Sequence, residues 1–115
     1  MVFAVTTTGL RPDGSSPTSI PNVAWAVAAG TANAITAVYS PVNKALIDGL
    51  ILAFRAVNAT TSTTPTFAPD GLTPRVIVKR ANTALASGDI TTNGEYLVRY
   101  NLANSRWVLL NPVVP

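Results

Sequence analysis

Gly94-Glu95-Tyr96-Leu97-Val98-Arg99-Tyr100-Asn101-Leu102-Ala103-Asn104-Ser105-Arg106-Trp107-Val108-Leu109-Leu110-Asn111-Pro112 holds two runs of apolar, β-branched and aromatic residues. A short Asn/Ser-rich turn separates them. This is the pattern of a β-hairpin, and it sets the fold class for the chain that precedes it. Upstream, Thr73 to Arg80 reads as another strand, with Pro74 at its start where a missing backbone donor is tolerated. Pro69-Asp70-Gly71 is a turn signal. Thr66 to Pro69 is expected as a short edge strand, and Ala81 to Ile90 as a loop.

The middle of the chain is more ambiguous. Ala34 to Ser40 reads as a strand that Pro41 ends, and Val42 to Ile47 as a helical turn or a loop before an Asp48-Gly49 turn. In the stretch 50–57, Leu50, Leu52, Phe54 and Ala56 fall on one face at period two, and Ile51, Ala53, Arg55 and Val57 on the other. Both faces are largely apolar, as in a strand covered on both sides. A helix over 45–57 competes, because Ala and Leu favour helices, but Gly49 and the β-branched residues point to a strand. The expected fold is all-β, a small antiparallel β-sandwich or open barrel of about five to seven short strands. The head domain is expected over residues 26–115.

Residues 1–25 are expected to form an extended N-terminal arm. Pro12, Pro17 and Pro21, with Gly9, Gly14 and many Ser and Thr, leave no helical or strand period over 6–22. Leu10, Ile20 and Trp25 are the candidate anchors of that arm on a neighbouring subunit. For Trp25 the competing reading is a cap on the domain's own core.

Composition narrows the function classes. Among 115 residues, charged side chains are 11% and hydrophobic ones 48%, against about 25% charged in an ordinary globular protein. So few charges imply a surface rich in Thr, Ser and Asn, partly buried against other chains. The net charge of +3 comes from eight basic and five acidic residues, spread too thinly for a nucleic-acid footprint. The chain has no Cys and no His, which removes thiol, disulfide and imidazole chemistry. The N-terminus lacks the basic region and the apolar length of a signal peptide. The longest uncharged apolar stretch, Val23 to Tyr39, is interrupted by Gly30, Thr31, Asn33 and Thr36 and falls short of a membrane span. The expectation is a protein made in a cytoplasm, with no nucleic-acid partner and no membrane insertion.

The ordered series Gly30-Thr31-Ala32-Asn33-Ala34-Ile35-Thr36-Ala37, Ala45-Leu46-Ile47-Asp48-Gly49-Leu50, Phe54-Arg55-Ala56, Thr66-Phe67-Ala68-Pro69-Asp70-Gly71-Leu72, Ile77-Val78-Lys79, Leu85-Ala86-Ser87-Gly88-Asp89-Ile90 and Tyr100 to Pro112 resembles a β-rich module of bacteriophage tail fibres and related virion appendages. The resemblance spans residues 26–112. It implies a virion structural protein, assembled as a homotrimer with other tail or capsid proteins. Tail fibres are usually long and repetitive, whereas here the module is nearly the whole sequence. That raises a shorter appendage, an adaptor, or a capsid decoration protein that bridges capsomers.

Candidate chemistry is weighed against simpler roles. Without His, the available bases are Asp48, Asp70, Asp89, Glu95, Lys44 and Lys79. Three of these acids, Asp48, Asp70 and Asp89, lie in Asp-Gly, Gly-Asp or Pro-Asp-Gly turns, where carboxylates serve backbone geometry. No catalytic residue, cofactor site or metal site is expected, and the protein is not read as an enzyme. Tyr96, Tyr100 and Trp107, with Tyr39, offer either a subunit interface or a face that stacks on host surface glycans; the simpler reading places them in the core. Arg55 and Arg99 interrupt apolar strands and either point to solvent or pair with Asp48 or Glu95 of a neighbour across a seam.

Overall fold

The computed structural model describes residues 6–11, 15–16 and 23–112. β1 (Thr6–Arg11) and β2 (Ser15–Ser16) pair antiparallel, with Leu10 opposite Ser16. All other strands form one sheet: β3 (Ala24–Val27), β4 (Ala29–Thr31), β5 (Ala34–Ala37), β6 (Ile51–Arg55), β7 (Thr66–Pro69), β8 (Arg75–Lys79), β9 (Thr83–Ala84), β10 (Glu95–Asn101) and β11 (Arg106–Leu109). The strand order is β3-β6-β10-β11-β8-β7-β5-β4, with β9 paired to β8. The two ends of this path, β3 and β4, are consecutive in the chain and separated only by Ala28. Ala28 donates its N–H to the Arg55 carbonyl (3.0 Å) and so continues the bonding of β3 to β6. One stretch of chain thus gives its first half to one end of the sheet and its second half to the other. The result is a nearly closed β-barrel, in which edge strands are largely avoided.

Alternation decides which side chains fill the interior. Tyr96, Val98 and Tyr100 of β10, Leu52 and Phe54 of β6, Trp107 and Leu109 of β11, Ile35 and Ala37 of β5, Phe67 of β7 and Ile77 of β8 are all buried. Five rings form a connected series through the core. Tyr96 lies 6.1 Å from Phe54, Phe54 5.1 Å from Phe67, Phe67 5.2 Å from Trp107 and Trp107 5.1 Å from Tyr100, centroid to centroid. The two contacts of Trp107 are edge-to-face, the arrangement that the ring quadrupole favours.

The hairpin reading of 94–112 holds: β10 and β11 pair antiparallel, Tyr100 opposite Trp107. Other expectations are corrected. The pairing is mixed rather than purely antiparallel, since β3–β6, β5–β7 and β8–β11 are parallel. The stretch 66–69 is not an edge strand, because β7 bonds to β5 on one side and β8 on the other. The 50–57 strand is covered on one side only. Leu52, Phe54 and Ala56 point inward, while Ile51 and Val57 are exposed on the outer face, which no second layer covers among the described residues. The 42–47 stretch takes the loop form of its two expected ones. Within 81–90 the backbone is mostly loop, but it includes β9 and sends Leu85 and Ile90 into the core.

Two turns impose special backbone. Gly30 has φ +82°, and a Cβ there would clash with the Ala34 carbonyl oxygen, so only glycine fits this point of the β4–β5 hairpin. Between β8 and β9 the one-turn segment Arg80–Asn82 places both Ala81 and Asn82 at φ 57°, and Thr83 donates its N–H to the Arg80 carbonyl. This is the geometry of a primed hairpin turn, which matches strand twist but suits Asn and Gly better than Ala.

Gly30→Ala is expected to cost about 2–4 kcal/mol, from left-handed strain plus a backbone clash, read as a lower urea midpoint. Replacing Ala81-Asn82 by Asn-Gly is expected to raise stability by about 1 kcal/mol, seen as a higher thermal midpoint.

Candidate functional site

The turn aspartates come first, because they are the acids nearest to a catalytic role. Asp70, at φ 52° in the turn after β7, accepts three hydrogen bonds: from the Tyr39 N–H (2.8 Å) on Oδ1, and from the Asn43 N–H (2.7 Å) and Asn43 Nδ2 (2.9 Å) on Oδ2. Its own N–H donates to the Ala37 carbonyl (2.8 Å). One residue therefore ties the end of β7 to the start of the long 38–50 loop. Burial acts to raise the Asp70 pKa, but the hydrogen bonds from Tyr39 and Asn43 outweigh it and hold the carboxyl below the usual range. Burial, and then the Asp70 charge, push the Tyr39 phenol well above its ordinary value. The Tyr39 hydroxyl donates to the Ala53 carbonyl (2.9 Å) and anchors the loop to β6.

Asp48 and Asp89 are also engaged. Asp48 Oδ1 accepts the Leu102 N–H (3.0 Å), which joins its turn to the β10–β11 connection. Asp89 is buried; its Oδ2 accepts the Ala86 N–H (2.8 Å) and lies 2.9 Å from Lys79 Nζ. Glu95 is exposed on β10. Among the described residues the acids lie at separate turns and strands, and Asp48, Asp70 and Asp89 satisfy backbone N–H groups that would otherwise be orphaned. Asn33 and Asn111 work in the same way: Asn33 Oδ1 accepts the Thr61 and Ser62 N–H groups, and Asn111 bridges the Leu97 N–H and the Glu95 carbonyl.

The aromatic face expected of Tyr96, Tyr100 and Trp107 is corrected. All three are buried in the domain's own core, Trp107 completely, so none is available to a glycan or a subunit. The inward positions of β10 and β11 alternate with outward ones, and these three residues take the inward set. The Tyr96 hydroxyl is further occupied by the Thr91 N–H (2.8 Å) and lies 3.0 Å from Thr91 Oγ1. Of the arm anchors, Leu10 lies in β1, Ile20 lies outside the described residues, and Trp25 belongs to β3 of the barrel. The sheet therefore begins inside the expected arm. Trp25 neither caps the core nor extends from the body: it is 48% exposed on the outer face, with the Arg55 guanidinium carbon 5.4 Å from its ring centroid.

That outer face is what sequence reading missed. Strand register sets Trp25 beside Ala53, Ala53 beside Leu97, and Leu97 next to Leu110, whose N–H donates to the Leu97 carbonyl (2.8 Å). The row crosses four strands on the outside of the barrel, and Trp25, Leu97 and Leu110 are exposed along it. On β10, Glu95 and Arg99 flank Leu97 at equal spacing on the same face, both exposed. The signal was present as the outward half of each alternation, but only the register aligns those halves into a row.

Compared with known protein families and with curated proteins, the chain matches none.

Replacing Asp70 by Ala is expected to cost about 2–3 kcal/mol, since it strands the N–H donors of Tyr39 and Asn43. Because the folded pKa lies below the unfolded one, the Asp70 contribution is complete above the unfolded carboxyl value near ~3.9 and fades as pH falls through the folded value. The difference in urea midpoint between the natural protein and Asp70→Asn is therefore expected to stay constant from about pH 7 to 5 and to shrink below about pH 4.

Proposed function

We propose that this chain is a bacteriophage virion structural protein, a tail-fibre or tail-associated appendage subunit that acts by assembly. The supporting observation is the outward apolar row on β3, β6, β10 and β11. It leaves Trp25, Leu97 and Leu110 in water on a body in which charged residues are scarce. An apolar row across four strands is what subunit contact covers. The small barrel suits such a role, because its core rings and bonded turns make a stiff body that needs no ligand to complete it. The turn carboxylates act as parts of that framework. The N-terminal segment, rich in Pro and Thr, joins the body at β3, next to the exposed row, and serves as the tether to a neighbour.

The saccharide-binding reading is weaker than this one. Its proposed face is core, and among the described residues Trp25 is the exposed aromatic, already stacked by Arg55.

Immunogold labelling of particles, with antibody raised to the recombinant chain, tests the proposal. Label on the tail is expected; label on the head would favour capsid decoration, and particles without the protein would refute a virion role. Deletion of residues 1–22 removes β1 and β2 and is expected to leave a folded barrel, seen as a retained cooperative thermal transition, that no longer enters particles. Normal incorporation of the truncated form would rule out the tether.

A further inference from the structure

We propose that the outer face of β3, β6, β10 and β11 packs against the same face of a second copy, about a two-fold axis that runs along the Trp25–Ala53–Leu97–Leu110 row. The charge pattern selects the second copy and the axis together. β10 presents Glu95, Leu97 and Arg99 outward, one acid and one base at equal distances from a central leucine. Neither the Glu95 carboxylate nor the Arg99 guanidinium has an ion-pair partner among the described residues. A two-fold axis along the row reverses the facing strand. Leu97 then meets Leu97, Glu95 meets Arg99 of the second copy, and Arg99 meets its Glu95. An axis along β10 itself would set Glu95 on Glu95 and Arg99 on Arg99, and repulsion disfavours it. The self-complementary pattern is what an isologous contact requires.

The rest of the face fits this arrangement. The row is apolar from β3 to β11, and β-sheet faces stack at about 10 Å with interdigitated side chains. Arg55 lies over Trp25 and covers one side of the indole, which leaves the other side for a partner. Four strands at about 4.8 Å spacing and five residues of β10 make a patch of a few hundred Å² per copy, below the ~800 Å² of a standard interface. The contact is therefore a weak one in solution, strengthened where copies are held side by side. It rests on the assembly reading only in requiring a second copy, and it does not involve the N-terminal tether.

The test is sedimentation equilibrium of the full chain over a concentration series, at low and high salt. A monomer–dimer equilibrium that weakens with salt is expected. Glu95→Arg and Arg99→Glu alone should each weaken dimerisation about tenfold, because each places two like-charge pairs in the contact. The Glu95→Arg/Arg99→Glu double variant should regain the natural affinity, and an equimolar mixture of the two single variants should form heterodimers. Leu97→Cys, the sole thiol in a chain without cysteine, should be joined into dimers by a short bis-maleimide, because the axis brings the two copies of position 97 together. A monomer at every concentration, a trimer, or a dimer indifferent to both charge reversals would overturn the proposal. Loss of particle incorporation on deleting 1–22 with the dimer intact would separate the tether from this contact.

Discussion

Closure of the sheet by a single stretch of chain is the constraint from which the rest of the structure follows. β3 and β4 sit at opposite ends of the strand order, yet only Ala28 separates them. For that segment to bond β6 with its first half and β5 with its second, the sheet must curl until its ends meet. Curling creates an interior, and the interior must be filled to the density of a protein core. Phe54, Phe67, Trp107 and Tyr100 do this from four different strands, in contact ring to ring. Gly30, at the β4–β5 end of the closing segment, permits a close approach of backbone that any side chain would block.

The polar residues answer a second demand created by the same topology. Parallel neighbours such as β5 and β7 cannot be joined by a tight hairpin, so the chain must cross in irregular connections. Such connections carry backbone donors that no strand satisfies. Asp70 and Asn33 reach across to such donors, while Asp48 serves the β10–β11 turn and Asp89 its own local turn. The chain thus spends Asp48, Asp70 and Asp89 on backbone hydrogen bonding, and the outer face of β3, β6 and β10 keeps Trp25, Ile51 and Leu97 exposed.

Much of the fold was legible locally. The 94–112 hairpin, the turn at 69–71 and the strand at 75–79 carry strong signals, because β-branched runs and turn residues act over a few positions. The inward face of β6 was also readable from period two. The 66–69 stretch was misplaced at an edge because its parallel partner, β5, lies far back in the chain, beyond the reach of any local pattern. Tyr96, Tyr100 and Trp107 show the same limit: alternation says that they share a face, not whether that face looks in or out.

By itself, the sequence determined that the chain is all-β, that Asp48, Asp70 and Asp89 sit in turns, and that it lacks the thiol and imidazole on which much enzyme chemistry relies. These are properties of residue type and short spacing. Only the tertiary structure decided that the sheet closes on itself, that the large aromatics point inward, and that Trp25, Ala53, Leu97 and Leu110 align outside. Each of these depends on the register between strands distant in sequence, which is set by the fit of the whole core rather than by any one segment.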